Sequence, residues 1–177
     1  PPKNPSFPSS RVHRPDGARS GPSAFYDLLH AGHESVSLDF TTAAGRLALQ
    51  RLVERADVVI EASRPRALEQ LDVTPQRSAA RAWVSITAYG REAAGANRIG
   101  FGDDVAVAGG LVAWDAEGPV FCADAVADPL AGLTAALGVL DVMGTGGRWL
   151  LDVAMARVAA WMGRGDVVDG LGRVAPP

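Results

Sequence analysis

Asp128 is the residue whose position in the sequence is most suggestive of chemistry. It directly precedes Pro129, at the start of a segment with apolar residues at helical spacing. Aspartate at the N-cap followed by proline at the first helical position is typical of a helix start, so one interpretation is purely structural. In the second interpretation the helix N-terminus keeps the carboxylate ionised, as a carboxylate nucleophile must be. The local pattern favours the cap, and both interpretations stay open.

Few other residues offer chemistry. Gly109, Gly110 and Gly132 would allow a bulky substrate or another backbone to come close. The three histidines have no Glu or Cys at metal-ligand spacing, so we interpret them as solvated or satisfied polar residues and predict no metal site. Cys122 lies in an apolar stretch and is interpreted as a buried structural cysteine. The sequence contains no P-loop, no dinucleotide-binding glycine motif after a strand and no G-x-S-x-G nucleophile elbow.

Alternating strand and helix patterns would have to position these residues. Residues 35–40 alternate like a strand, and the two threonines that follow can cap a helix. Residues 57–61 and 82–87 are predicted to form buried strands, and Pro65 can begin a short helix between them. This order predicts βαβ units with right-handed crossovers, and therefore an α/β fold with a parallel sheet.

The second half of the chain continues the pattern. Thr74-Pro75 repeats the helix-start signal, and residues 103–109 predict another short helix. Two short strands flank residues 115–118, which predicts a hairpin. The clearest helix is predicted over residues 128–142, with Leu130, Leu133, Leu137 and Leu140 on one face, and a further strand over residues 149–153.

Length and composition exclude several classes of protein. The chain has 177 residues, 47% of them hydrophobic, and a net charge of −3 without a basic patch, which argues against nucleic-acid binding. We expect no membrane span and no signal peptide, and a single cysteine favours a reduced, cytoplasmic protein. Prolines concentrate near the start, and glycine and proline near the end. These patterns predict a Pro-rich tail over residues 1–24, a domain over residues 25–162 and a Gly/Pro-rich tail over residues 163–177.

An ordered series of short segments resembles the family III CoA-transferases, the CaiB/BaiF family. Each segment alone is a weak signal, but their order and spacing hold over about residues 25 to 161. The segments are residues 33–40, 56–61, Arg64-Pro65, 85–90, 100–106, 127–138 and 149–155. The resemblance implies that the chain is a truncated, Rossmann-like large domain of such an enzyme.

The resemblance also implies an activity. In this family an aspartate at the position of Asp128 attacks an acyl-CoA thioester, and CoA passes through an aspartyl intermediate to an acceptor carboxylic acid. Acyl-CoA and a small carboxylic acid would therefore be the partners, with no permanently bound cofactor and a homodimeric assembly. We expect Arg64, Tyr89, Gly90, Gly109 and Gly110 to contact CoA, with Arg64 on its phosphates. The alternative for Arg64, an exposed arginine at a strand end that binds nothing, stays open.

Several departures from the family pattern leave alternatives open. Phe101 stands where related racemases have a catalytic histidine, and phenylalanine cannot exchange a proton, which disfavours racemase chemistry. Glu34 stands where a basic residue is usual, so we predict weak CoA binding. The chain is also much shorter than family members. That would leave an open strand edge near residues 35–40 and favours the alternative of a non-catalytic homologue that only binds or dimerises.

Overall fold

The computed structural model describes residues 10–13, 23–92 and 95–163. The chain divides into two compact units, Pro1–Glu54 and Arg55–Pro177. Asp128 and the predicted CoA-contacting residues all belong to the second unit, so the candidate site lies within one unit. The predicted tail over residues 163–177 falls, after Gly163, outside the described residues.

The first unit contains two strands and two helices. Its elements are β1 (Ser10–His13), α1 (Ser23–Leu29), β2 (Glu34–Ser37) and α2 (Ala43–Arg55). β1 and β2 pair in parallel as a sheet of their own, with Val12 opposite Val36. Two of these elements were not predicted from the sequence: β1, which lies among the prolines of the predicted tail, and α1. β1 occupies one edge of β2, where an open edge was expected.

Two side chains set the end of β2 and the start of α2. The predicted strand over residues 35–40 ends early, at Ser37, because Asp39 turns the chain by accepting the Thr41 N–H at 2.9 Å. Thr42 then caps α2 as predicted, since its Oγ1 accepts the N–H of Gly45 at 3.0 Å.

The second unit is built on a parallel sheet. Its elements are β3 (Val58–Glu61), α3 (Pro65–Glu69), β4 (Ala82–Thr87), α4 (Gly102–Ala108), β5 (Val112–Trp114), β6 (Pro119–Phe121), α5 (Ala127–Met143), β7 (Trp149–Ala154) and α6 (Met155–Met162). The sheet order is β3-β4-β7 with all strands parallel, and β5 and β6 form the predicted antiparallel hairpin. The α/β class with a parallel sheet is confirmed, although β2 pairs with β1 rather than joining this sheet.

One predicted helix start is wrong. Thr74-Pro75 begins only a single turn, in which the Thr74 carbonyl accepts the N–H groups of Arg77 and Ser78, each at 3.1 Å. Ser78 then diverts the chain, because its hydroxyl accepts the N–H of Ala80 at 3.1 Å. Hydroxyl groups that bond to the nearby backbone compete in this way with helix formation.

The buried face of α5 is lined by small residues. Ala127, Ala131 and Ala135 are almost fully buried and pack in one core with residues of β4, α4 and β7. Leu133, Leu137 and Leu140 share a face as predicted, but that face is exposed, at 63%, 67% and 73%. The helix therefore directs its small side chains to the core and leaves an apolar stripe outside. Among the described residues no helix combines the length and apolar character needed to cross a membrane.

Candidate active site

Asp128 lies in the first turn of α5 but does not cap it. The N-cap is Val126, which has helical backbone angles and makes no side-chain cap bond. Asp128 is the second residue of the helix, and its backbone N–H donates to the Ala125 carbonyl at 2.9 Å. Its carboxylate is exposed and makes no hydrogen bond or ion pair with another described residue. The prediction that Asp128 is an N-cap is wrong, because the helix begins before it.

The Asp128 carboxylate lies directly against Gly102, the first residue of α4. A Cβ built on Gly102 would overlap Oδ2 of Asp128 and would lie 2.8 Å from both Cα and Cβ of Ala125. Real Cβ atoms are essentially never this close to other atoms. Only glycine therefore allows the start of α4 and the start of α5 to meet at this distance.

Asp103 holds the loop that leads into α5. Its Oδ1 accepts the backbone N–H of Ala125 at 2.7 Å. Ala125 has a φ of 47°, in the left-handed region that residues with a Cβ rarely occupy. A carboxylate from α4 thus anchors a strained residue three positions before Asp128.

The surroundings of Asp128 raise its pKa above the ordinary value of 3.8. The larger cause is the partial loss of hydration around the carboxylate, and the second is repulsion from the negative charge of Asp103. The effect of the helix N-terminus, which would lower the pKa, does not dominate here. A carboxylate with a raised pKa is a stronger base and a better nucleophile when it is ionised.

Tyr89 borders the same loop as Asp128. A Cβ on Gly100 would lie 3.4 Å from Cε2 of Tyr89, while Gly102 contacts Asp128. Two residues span at most about 7 Å of chain, so the Tyr89 ring and the Asp128 carboxylate flank one short stretch of backbone. The guanidinium carbon of Arg98 lies 3.7 Å from the centre of the Tyr89 ring, a cation–π contact that orients the tyrosine.

A buried polar network fixes the loop that carries Tyr89 and Gly90. Arg91 donates from Nη1 to Oε1 of Glu61 at 3.1 Å and to Oγ of Ser85 at 2.9 Å, and Ser85 also donates to Glu61. The Arg91 N–H donates to Asp152 Oδ2 at 3.0 Å. Gly90 is buried with a φ of 99°, which a side chain would strain. β3, β4 and β7 therefore all hold this loop at the carboxyl edge of the sheet.

Arg64 stands at the same edge, after β3. It is the N-cap residue of α3, and its carbonyl accepts the N–H of Ala67 at 2.8 Å. Its side chain is exposed and forms no ion pair with a described residue. The guanidinium is thus open to an anion from solvent, as its predicted phosphate contact requires.

Gly109 and Gly110, the predicted CoA-contacting glycines that follow α4, have structural roles. A Cβ on Gly109 would lie 2.5 Å from Cβ of Ala159, so its lack of a side chain lets α4 pack closely on α6. Gly110 has a φ of 85° and ends α4, because its N–H and that of Leu111 bond back to the Val107 and Ala106 carbonyls, each at 2.9 Å. Their contact with CoA stays a prediction.

The residues that support the site were not predicted from the sequence. Glu61, Ser85, Arg91, Gly102 and Asp103 were not singled out, although a glutamate ending an apolar strand is a usable signal for a buried partner. Cys122 was expected to be buried and is exposed, since it follows the short hairpin rather than lying in a core strand. Within the described ranges no cluster of His, Cys, Asp and Glu side chains could hold a metal ion.

Comparison with known proteins gives these features a context. The chain is 34% identical over 84 residues to the probable fatty acyl-CoA transferase Rv3272 of Mycobacterium tuberculosis, a match that covers 45% of this chain and 21% of that protein. An aspartate-to-alanine mutant of Rv3272 has a crystal structure that superposes with a TM-score of 0.75 at 28% identity, over 88% of this chain and 48% of that one.

A second solved structure shares the fold. A CaiB/BaiF family protein from Brucella suis gives a TM-score of 0.76 at 24% identity, over 87% of this chain and 47% of that one. The chain thus spans about half the length of the solved relatives that it matches. The sequence model of CoA-transferase family III matches residues 4–175, nearly the whole chain. On that match, the chain belongs to CoA-transferase family III.

Proposed function

We propose that this chain carries the nucleophile of a CoA-transferase, and that Asp128 is that nucleophile. One observation carries the proposal: an exposed carboxylate with a raised pKa and no partner among the described residues lies against Gly102, where any added Cβ would overlap it. A helix cap would have accepted backbone N–H groups, and Asp128 accepts none from the described chain. Its environment suits a nucleophile better than a cap.

The proposed reaction uses Asp128 in two covalent states. The carboxylate oxygen attacks the thioester carbonyl carbon of an acyl-CoA, the C–S bond breaks, and an acyl–aspartyl anhydride forms with CoA thiolate as the leaving group. The thiolate then attacks the aspartyl carbonyl, which releases the carboxylic acid and leaves an aspartyl-CoA thioester. An acceptor carboxylate reverses the two steps, takes the CoA and restores the carboxylate of Asp128.

The acyl group is proposed to be an apolar chain. Rv3272, which this chain resembles over 84 residues, is described as a probable fatty acyl-CoA transferase. In this chain Ile99 and Phe101 belong to the short stretch of backbone that Tyr89 and Asp128 contact, and their side chains are 65% and 72% exposed. Exposed apolar side chains beside a reactive group suit an apolar substrate. We also propose a cytoplasmic location, on the single-cysteine composition.

Asp128→Asn tests the nucleophile directly. With octanoyl-CoA as the probe and hydroxylamine as the trap, mass spectrometry should find a hydroxamate on Asp128 in the wild type and none in the variant. Asp124→Asn is the matched control, because Asp124 is an exposed acid four residues earlier. We expect the control to trap like the wild type. A wild-type protein that binds octanoyl-CoA and forms no hydroxamate would exclude the proposed role.

Arg64→Ala tests the proposed phosphate contact. A charged hydrogen bond contributes roughly 1.5–3 kcal/mol, so we expect calorimetry to show CoA binding weakened at least tenfold. Arg66→Ala is the control, since Arg66 is an exposed arginine two residues away and equal in charge. An equal loss of CoA affinity in both variants would mean that CoA binding depends only on the general positive charge of α3, and not on a contact with Arg64.

The exposed stripe of α5 favours a second candidate function, a binding or dimerisation module without catalysis. Leu133, Leu137 and Leu140 form an exposed apolar stripe, and contiguous exposed apolar residues can mark a protein–protein interaction site. The proposed homodimer would cover this surface, and it is compatible with either function. A racemase-like activity is disfavoured, because Phe101 has no proton to exchange.

A further inference from the structure

We propose that Asp103 is the positioning residue for Asp128: its carboxylate, through the backbone of Ala125, fixes where the first turn of α5 presents the Asp128 side chain. This inference rests on the proposed function for its effect on reactivity. Its structural part stands on the contacts between α4, Ala125 and α5, and hydrogen exchange tests it independently of activity.

The contacts form a short relay from one helix to the other. Asp103 Oδ1 accepts the N–H of Ala125 at 2.7 Å, and the carbonyl of the same Ala125 accepts the N–H of Asp128 at 2.9 Å. Ala125 thus donates a hydrogen bond through its N–H and accepts one through its carbonyl. Because Gly102 brings the backbone of α4 against both Ala125 and Asp128, there is little space in which the relay could shift.

Ala125 needs such an anchor because its conformation is unfavourable. With a φ of 47° it lies in the left-handed region, where the Cβ of an alanine crowds the following carbonyl. A residue stays in this region only where its surroundings hold it there, and such residues cluster at functional sites. Without the Asp103 carboxylate, we expect Ala125 to relax to an ordinary conformation and to move the start of α5.

The charge of Asp103 gives it an effect that a neutral anchor would lack. Asp103 is the charged neighbour that raises the pKa of Asp128, in addition to the larger effect of burial. The other acids around the site are Asp104, which accepts the N–H of Phe101 at 2.9 Å, and Asp124 in the loop before α5. No described cation pairs with Asp128. The positioning residue therefore also keeps the nucleophile basic.

Three variants separate position from charge. Asp103→Ala removes both the acceptor and the charge, whereas Asp103→Asn keeps an oxygen acceptor and removes only the charge. Asp103→Ala combined with Ala125→Gly removes the anchor but also the strain, because glycine adopts the left-handed conformation freely. Asp104→Asn is the matched control, since it neutralises the adjacent acid and keeps an acceptor for the Phe101 N–H.

Amide hydrogen exchange of the 177-residue chain measures the position. We expect Asp103→Ala to lower the protection of the Ala125 and Asp128 amides at least tenfold, and Asp103→Asn and Asp104→Asn to leave it near the wild-type level. The added Ala125→Gly change should restore part of the protection at Asp128. Unchanged protection in Asp103→Ala would overturn the proposal.

A carboxyl-carbon NMR titration of Asp128 measures the charge effect, which a merely structural role of Asp103 would not produce. The pKa of Asp128 should fall in Asp103→Asn and stay unchanged in Asp104→Asn. If Asp103→Asn lowers the protection of the Asp128 amide as strongly as Asp103→Ala does, or leaves the pKa unchanged, the proposal is wrong.

Trapping with octanoyl-CoA and hydroxylamine connects the two proposals. A small misplacement of a reacting group can cost up to about 100-fold in rate, so the rate of hydroxamate formation should fall 10- to 100-fold in Asp103→Ala. If the wild type forms no hydroxamate, the proposed function fails, while exchange and titration still decide the role of Asp103. If the wild type is trapped and Asp103→Ala is trapped at the same rate, only the positioning proposal fails.

Discussion

Glu61 and Arg91 form an ion pair between the end of β3 and the loop after β4, with 3.1 Å between Oε1 and Nη1. The two side chains are only 6% and 18% exposed, and Ser85 bonds to both of them. The carboxylate also accepts the N–H of Ser63, at 3.0 Å, just before Arg64. A single glutamate thus ties together the two loops that carry the predicted CoA-contacting residues Arg64, Tyr89 and Gly90.

Loss of Arg91 should therefore destabilise the chain strongly. Arg91→Ala leaves the Glu61 carboxylate buried without its cation, and breaking one side of a buried pair costs about 3 kcal/mol or more. Urea unfolding should show this loss in the free energy of unfolding. Arg77→Ala is the control, because the Arg77–Asp72 pair is 65% and 55% exposed, and such pairs contribute about 0–1 kcal/mol. Similar losses in both variants would contradict the buried role of Glu61.

Substitution of Gly102 should damage the candidate site. A Cβ there would overlap the Asp128 carboxylate and crowd Ala125, so Gly102→Ala has to displace the start of α5. Overpacking of this kind costs about 1–3 kcal/mol, and we expect it to reduce hydroxamate trapping at Asp128 as well. Gly132→Ala is the control for stability, because no atom lies within 4 Å of a Cβ at this position in α5. It should stabilise the helix, by up to about 1 kcal/mol.

The raised pKa of Asp128 predicts a pH-dependent gain in stability when the carboxylate is removed. Folding disfavours the charged form of Asp128, so the ionised carboxylate lowers the free energy of unfolding at pH 7. This loss disappears as the pH falls through the raised pKa and below 3.8, because the carboxyl group is then protonated in both the folded and the unfolded state. Asp128→Asn should therefore melt at a higher temperature than the wild type at pH 7 and at the same temperature near pH 3. The gain should be at most about 2 °C, because solvent screens an exposed carboxylate.

The opposite trend in melting temperature, a less stable Asp128→Asn at pH 7, would mean that the carboxylate stabilises the start of α5 after all. Asp124→Asn serves as the comparison, since it removes an exposed acid outside the helix.

The leucine stripe of α5 predicts self-association of the chain. Leu137→Glu places a charge in the middle of the stripe, and each buried leucine contributes about 1.5–3 kcal/mol to an interface. Light scattering should show a dimer for the wild type and a dissociation constant at least tenfold higher for the variant. Leu47→Glu is the control, because Leu47 is an exposed leucine on α2, at 48%. A wild-type chain that stays monomeric at high concentration would exclude this role for the stripe.

The parallel sheet could be predicted because its strands carry local signals. Residues 58–61 and 82–87 are short apolar runs bounded by polar residues or turns, and these runs form β3 and β4. β1 could not be predicted in the same way. It is held by pairing with β2 within a proline-rich segment, so its stability comes from a partner rather than from its own pattern.

The environment of Asp128 depends on contacts that a sequence pattern does not contain. Asp128 itself could be singled out, because aspartate and proline before an apolar helix are a local signal. Its neighbours Gly102 and Asp103 come from a different helix, 25 or more residues earlier in the chain. They meet Asp128 only because α4 and α5 pack on each other at their first turns. For the same reason the sequence predicted that the leucines share one face of α5, but it did not predict that this face is exposed.

The alanines on the inner face of α5 set the distance of Asp128 from the sheet. Ala127, Ala131 and Ala135 are almost fully buried in the core that α5 shares with β4, α4 and β7, and each fills its place there with only a methyl group. A larger residue at any of these three positions would act as a wedge and lift the helix together with its carboxylate. The position of the Asp128 carboxylate therefore depends on buried residues of α5 that do not contact the carboxylate themselves.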